Sequence, residues 1–151
     1  MDRDEAKVER DNKIIVENKN LKSFYVRLRK NLPKEIPPLN EIKKEIQNKN
    51  FHIYYLSTNN NKIITGALWY EKSRKRAHIY FMFTSKKFRK KGYAKLMLEY
   101  IISAAKKRHF DLITAFINPN NHIALILFLN NGFKIFGYLF DKGLLMAERK
   151  L

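Results

Sequence analysis

The sequence predicts a single α/β domain, a mixed, mostly antiparallel central sheet of about seven strands flanked by about four helices. Three features carry that expectation. Three strand-like segments follow one another between Phe51 and Thr84. A long helical repeat then runs from Tyr93 to Ala105. After it come a near-continuous apolar run, a short helix and a closing hairpin. At 151 residues, 45% of them hydrophobic, the chain suits one domain with a real core and leaves little room for a second.

Residues 1–12 alternate in charge without an apolar period, so a frayed start is expected and the domain is expected over 13–151. Lys13 to Val16 reads as a short strand. Leu21, Phe24, Tyr25, Leu28 and Leu32 have the spacing of one helical face, and Pro33 stops that helix. After Pro37-Pro38, Asn40 is expected to cap a second helix with Ile42 and Ile46 turned inward. Phe51 to Ser57, Ile63 to Tyr70 and Ala77 to Thr84 form an antiparallel meander, with Asn59-Asn60-Asn61 and the basic loop Lys72 to Arg76 as its turns. Tyr93, Leu96, Met97, Tyr100, Ile101, Ala104 and Ala105 make the stripe of a long amphipathic helix. Asp111 to Ile117 reads as a strand buried on both faces. Asn121 to Asn130 reads as a buried short helix closed by Asn131-Gly132. Phe133 to Phe140 and Leu144 to Ala147 close the chain as a hairpin across Asp141-Lys142-Gly143.

Composition excludes several function classes. There are no cysteines, hence no disulfide framework, CxxC zinc site or thiol nucleophile, and no HExxH or carboxylate cluster points to a metal. No secretory leader is visible, so a cytoplasmic protein is expected. The longest apolar run, Ile123 to Leu129, is far short of the roughly 20 residues of a membrane span.

The chemistry is concentrated in one strand-loop-helix unit, whose loop is Phe88-Arg89-Lys90-Lys91-Gly92-Tyr93-Ala94. A helix N-terminus presents unpaired amides and a partial positive charge. Gly92 allows a tight turn and close approach of the main chain, and Ala94 is small. With three basic side chains alongside, the loop suits a phosphate or diphosphate. Taken alone, the same residues also fit a surface turn with solvated lysines.

The unit resembles the acyl-CoA loop of the GNAT superfamily of N-acyltransferases, whose pattern [R/Q]-x-x-G-x-[G/A] is met by Arg89-Lys90-Lys91-Gly92-Tyr93-Ala94. A second signature of that family, Asn-x-x-Ala-x-x-Leu-Tyr-x-x-x-Gly-Phe, is nearly met by Asn121, Ala124, Leu127, Phe128, Gly132 and Phe133, in the family's order and spacing. The resemblance extends from about Lys13 to Leu151. It implies an acetyl-CoA-dependent N-acetyltransferase that needs no metal. It further implies that the main chain of Met82, Phe83 and Thr84 pairs with the pantetheine arm, with the Met82 amide facing the thioester oxygen. Amides from Lys90 through Lys95 would hold the diphosphate, and Asn121 would touch the cofactor arm.

The pattern breaks at the catalytic groups. Phe128 stands where the family often has an acidic tyrosine, and Phe116 where some branches have a glutamate. In the histone-acetyltransferase branch a glutamate base lies eleven residues before the loop's first residue, and here that position is His78. His78 is therefore the candidate general base, kept neutral by surrounding positive charge, unless it is only a packed strand histidine. Tyr80 and Tyr138 are candidates for the general acid, with Tyr54 and Tyr55 behind them. His52, His109 and His122 read as structural or exposed.

Lys and Arg number 31 against 14 Asp and Glu, a formal net charge of +17. From Lys72 to Arg108 there are 13 basic residues and one acidic, so most of the excess surrounds the loop. Such a field repels polycationic acceptors and draws in acidic or nucleic-acid-associated ones. The expected function is acetyl transfer to a primary amine of a protein, peptide or small molecule, with a homodimer possible and no membrane partner. The alternatives are a catalytically impaired acyl-CoA binder and a basic nucleic-acid or ribosome-associated module, since Tyr80, Phe81, Phe88 and Tyr93 interleave with cations.

Overall fold

The computed structural model describes residues 15–28 and 36–151. The expected frayed start, Lys13, Ile14, Leu32 and the stop at Pro33 lie outside the described residues. Seven strands form one sheet: β1 (Val16–Asn18), β2 (Phe51–Ser57), β3 (Ile63–Ser73), β4 (Arg76–Thr84), β5 (Leu112–Ile117), β6 (Lys134–Leu139) and β7 (Leu144–Lys150), in spatial order β1-β2-β3-β4-β5-β7-β6. Four α-helices cover its two faces among the described residues: α1 (Leu21–Leu28), α2 (Leu39–Ile46), α3 (Tyr93–Lys107) and α4 (His122–Asn130). Only β4 and β5 are parallel, because the connection between them is long enough to carry α3 back across the sheet.

Alternation along the strands divides the core in two. Ala67, Trp69, Ala77, Ile79, Ile113 and Ala115 meet Met97, Leu98, Ile101 and Ala105 of α3 on one face. Leu68, Tyr70, Phe81 and Phe83 meet Phe24 of α1 and Ile42 and Ile46 of α2 on the other. At the β1 side, fully buried His52 stacks on Trp69 at 4.2 Å. Its Nδ1 lies 2.7 Å from Glu17 Oε1 and its Nε2 3.4 Å from Glu71 Oε2, so one ring joins three strands.

Several boundaries differ from expectation for physical reasons. The basic loop shrinks to a tight turn, because β3 runs on to Ser73 and pairs there with Arg76. Asn40 does not cap α2. The helix begins one residue earlier, and the carbonyl of Pro38 receives the amides of Glu41 and Ile42 at 3.0 and 3.1 Å. In α3 the buried stripe is Tyr93, Met97, Leu98, Ile101, Ile102 and Ala105, which leaves Leu96 and Tyr100 at its exposed margins. Helix α4 is not buried: only Phe128 is, while Ile123 is 78% exposed. An apolar run reports hydrophobicity on every side of a helix, and here the sheet covers only one of them. Gly132 closes α4 as expected, at φ +86°, with the amide of Phe133 reaching the carbonyl of Phe128 at 3.1 Å.

Gly66 of β3 lies under α1, where an added Cβ would stand 2.7 Å from Cε1 and Cζ of Phe83. Gly66→Ala is expected to destabilise the fold by about 1–3 kcal/mol through overpacking. An unchanged urea midpoint would mean that the Phe83 ring moves aside freely.

Candidate functional site

The sheet opens where β4 and β5 part. They pair from Arg76 with Leu112 to Ile79 with Ala115 and no further, although β4 continues to Thr84 and β5 to Ile117. On the other side of β4, Leu68 pairs with Phe81 and Trp69 with Ile79, so Tyr80 is the extra residue of a bulge. A bulge bends its strand and increases the local twist, and this one falls just where the parallel pairing ends.

The direction of the main-chain groups in the gap follows from alternation. The amide of Ser85 donates to the carbonyl of Ile64 at 2.8 Å, so position 85 is turned toward β3. Two residues back, Phe83 shares that direction, and its carbonyl also accepts from Thr65 Oγ1 at 2.8 Å. Met82 and Thr84 are therefore turned the other way, into the gap. This corrects the expectation for Phe83, whose main chain is occupied by β3 and whose ring is core.

The loop closes the mouth of the gap. A single 3₁₀ turn, Lys86–Phe88, leads to Arg89, whose Nε donates to the carbonyl of Thr84 at 2.9 Å and folds the side chain back over the loop. Lys90 at φ +63° and Gly92 at φ +84° take left-handed conformations on either side of Lys91, the kind of backbone from which anion-binding nests are built. The carbonyl of Gly92 accepts from the amide of Leu96 at 3.1 Å and so begins α3, whose first-turn amides at Tyr93, Ala94 and Lys95 point back toward the loop. No atom lies within 4 Å of where a Gly92 Cβ would sit, so the loop is open there. An open cradle of amides ringed by cations fits a diphosphate, and the strand edge at Met82, with the amide of Thr84 whose carbonyl is taken by Arg89, fits an amide-bearing arm.

Across the gap, Asn121 stands at the head of α4. Its Oδ1 accepts from the amide of Ala124 at 3.1 Å, so the side chain caps the helix while its Nδ2 is left for another partner. Phe128 is buried, edge-on to Phe133 at 4.9 Å.

At the vertex of the gap, on the face covered by α1 and α2, aromatic rings line up across three strands. Phe116 of β5 lies 4.5 Å from His78 of β4, and His78 lies 5.4 Å from Tyr70 of β3. His78 is buried, with Nδ1 2.7 Å from Thr114 Oγ1. Thr114 Oγ1 also lies 3.4 Å from the carbonyl of Ala77, and with its proton directed there Nδ1 would carry the ring proton and Nε2 would be the acceptor. Burial, helped by Lys72, Lys49 and Lys142, pulls its pKa down to about 3. The ring is therefore neutral, but more because of burial than of neighbouring charge, and it is a weak base. Tyr70 Oη donates to Glu45 Oε2 of α2 at 2.5 Å, and burial together with that bond raises the phenol well above its usual range. Tyr80, on the bulge, is pushed up to about 12 by burial and by Glu45 and Glu41.

His78 and Tyr80 are thus brought together, whereas Tyr138 is not. Tyr138 sits on β6, opposite Leu145, which packs on the α3 side of the sheet, and β7 separates it from β5. Tyr54 belongs to the α3-side core as well. Thr114, Tyr70 and Glu45 were not foreseen. Thr114 is one polar residue in an apolar run, and Glu45 looks like any solvent-facing position of a short helix. No group of three or more His, Asp or Glu among the described residues converges on a metal-sized site.

Because His78 is neutral in the fold but titrates near 6.5 when exposed, stability is full above about pH 6.5 and falls as the pH drops toward 3. Between pH 6.5 and 4.5 this group accounts for roughly 2 kcal/mol. Urea unfolding at the two pH values should show His78→Gln losing less stability over that interval than the wild type, and equal losses would contradict it.

A model of the acetyltransferase (GNAT) family matches residues 17–133. No curated protein matches the chain. Among solved structures, a GNAT family acetyltransferase from Elizabethkingia anophelis with acetyl-CoA bound is similar with a TM-score of 0.75 at 18% identity, over 93% of this chain and 99% of that one. The ribosomal-protein-S18-alanine N-acetyltransferase from Escherichia coli is similar at 0.74 and 14%, over 91% and 93%. An acetyltransferase from Bacillus subtilis in complex with CoA is similar at 0.69 and 17%, over 92% and 97%. These likenesses are of fold; the family match covers most of the sequence, and the chain belongs to the GNAT acetyltransferase family.

Proposed function

We propose that the protein transfers an acetyl group from acetyl-CoA to a primary amine by direct attack within a ternary complex. The observation that carries this reading is the gap between β4 and β5, closed at one end by the pairing at Ile79 and bordered at the other by the Gly92 loop. The loop amides and the side chains of Lys90, Lys91 and Lys95 suit the diphosphate of CoA, and the main chain of Met82 and Thr84 suits its pantetheine amides. Nδ2 of Asn121 is a further donor to that arm.

Acetyl-CoA supplies the activated thioester carbonyl. The amide of Met82 faces the region where negative charge would develop on its oxygen, and a fixed main-chain donor costs little reorganisation there. The amine attacks in its neutral form, forming a C–N bond as the C–S bond breaks. The nitrogen gives up one proton to solvent and the leaving thiolate takes one from solvent, so the step balances without a covalent acyl-enzyme, and Tyr80 stabilises the thiolate by a hydrogen bond without losing its own proton. With Nδ1 committed to Thr114, His78 offers Nε2 as a hydrogen-bond acceptor to the amine rather than as a strong base. Tyr80 keeps its proton at any working pH and stands on the bulge beside Tyr70, whose own hydroxyl is committed to Glu45, which makes Tyr80 the hydrogen-bond donor toward the leaving group. The basic field around the loop favours acidic or nucleic-acid-associated acceptors over polyamines, and the cysteine-free composition suits the cytoplasm.

A second reading rests on Phe116 and Phe128, which stand where relatives often carry a carboxylate and a phenol: the protein binds acyl-CoA without turning it over. Calorimetric titration with acetyl-CoA, followed by thiol release over a panel of amines, separates the two. Saturable binding with thiol release is expected, and binding without release for any amine identifies the second reading. Gly92→Val forces a branched side chain into the left-handed region and over the cradle, and should weaken acetyl-CoA by at least about 100-fold. Unchanged affinity would remove this loop from the site. His78→Gln should lower kcat while leaving acetyl-CoA affinity close to wild type; a wild-type kcat would remove His78 from the reaction.

A further inference from the structure

The vertex cluster has a charge order of its own. The row Phe116, His78, Tyr70 crosses β5, β4 and β3 and ends in opposite charges. At one end Tyr70 Oη binds Oε2 of Glu45 and makes no bond to Oε1. Lys49 also lies here, its ammonium bonded to the main-chain carbonyl of Glu45 and 4.9 Å over the Tyr70 ring, so this end sets two carboxylates against one ammonium. Two carboxylates, Glu45 and Glu41, act on the half-buried Tyr80 beside it. At the other end Lys72, exposed at the tail of β3, holds its ammonium 5.6 Å over the face of Phe116. Lys142, from the turn between β6 and β7, adds positive charge toward the same buried imidazole. The floor between the two ends is neutral and aromatic, so it adds no charge of its own to offset the direction that the two ends set across the vertex.

We propose that this cluster is a bipolar acceptor site, which takes a primary amine carrying a nearby anionic group, its nitrogen toward Glu45 and its anion toward Lys72. The inference rests on the acyl-transfer reading for its location and adds the class of amine. Glu45 is the hydrogen-bond acceptor for the incoming ammonium, and Tyr70 holds its carboxylate in place from a buried position. Polyamines satisfy only the Glu45 end and meet Lys72 and Lys142 with like charge, while a neutral amine leaves the lysines unused.

The test compares two acceptors that differ only in the anion: alanyl-aspartate amide and alanyl-asparagine amide. Their kcat/KM values are read by thiol release with acetyl-CoA, and their affinities for the protein–CoA complex by calorimetry. The aspartate peptide should be preferred by roughly fivefold, the scale of one partly exposed ion pair. K72E should remove or reverse that preference, and Lys142→Glu should reduce it. E45Q should raise KM for both peptides by about tenfold, the loss of one charge-assisted hydrogen bond, with acetyl-CoA affinity unchanged. Both lysines are exposed, so circular dichroism should report an intact fold in their variants. Equal values for the two peptides, or a preference that survives both lysine variants, overturns the bipolar site even if acetyl transfer proceeds. Discrimination in the binding arm without any thiol release supports the bipolar site while removing the enzymatic reading.

Discussion

The parting of β4 and β5 after four residue pairs is the constraint on which the rest of the molecule depends. A parallel pair normally satisfies its main-chain groups along its whole length, and leaving several of them unpaired inside a protein is costly. The bulge at Tyr80 bends β4 away from its neighbour at that point, and the helices that follow each strand, α3 and α4, begin beside the two freed ends. The result is an edge that asks for an extended, amide-bearing partner, with an anion cradle at its mouth. Open α/β sheets likewise gather ligands in the crevice at the carboxyl ends of their strands.

The vertex shows how burial and charge act together. His78 is held neutral by a dry environment and by nearby ammonium groups, with its ring held at Nδ1 by the Thr114 hydroxyl, so it brings shape and a hydrogen-bonding edge rather than a titrating charge. The charged groups are displaced outward to α2 and to the hairpin tips. There they remain solvated while still bearing on the aromatic floor, an arrangement that keeps the desolvation cost low and the field directional.

Much of the fold was legible in the sequence. The period of 3.6 from Tyr93 onward, the β-branched meander from Phe51 to Thr84 and the glycine at 132 each have one local explanation, and the structure agrees with all of them. Where the reading slipped, a local signal had two physical causes. Asn40 has the chemistry of a cap, but the carbonyl of Pro38 was already serving the same amides. The apolar α4 looked buried because composition does not say which side a neighbour covers. The family pattern groups Phe83 with its neighbours at the gap, yet strand alternation turns its main chain to β3.

The chain by itself determined the elements and the tight glycine turn at the head of α3, because each of these depends on residues close together in sequence. Only the tertiary structure decided that Thr114 holds the ring of His78, that Tyr138 is cut off from it by an intervening strand, and that Glu45 meets Tyr70 at one end of the aromatic row while Lys72 lies over Phe116 at the other. Those relations join positions tens of residues apart through strand register and helix packing. Register is a property of how the whole sheet closes, and no local pattern encodes it.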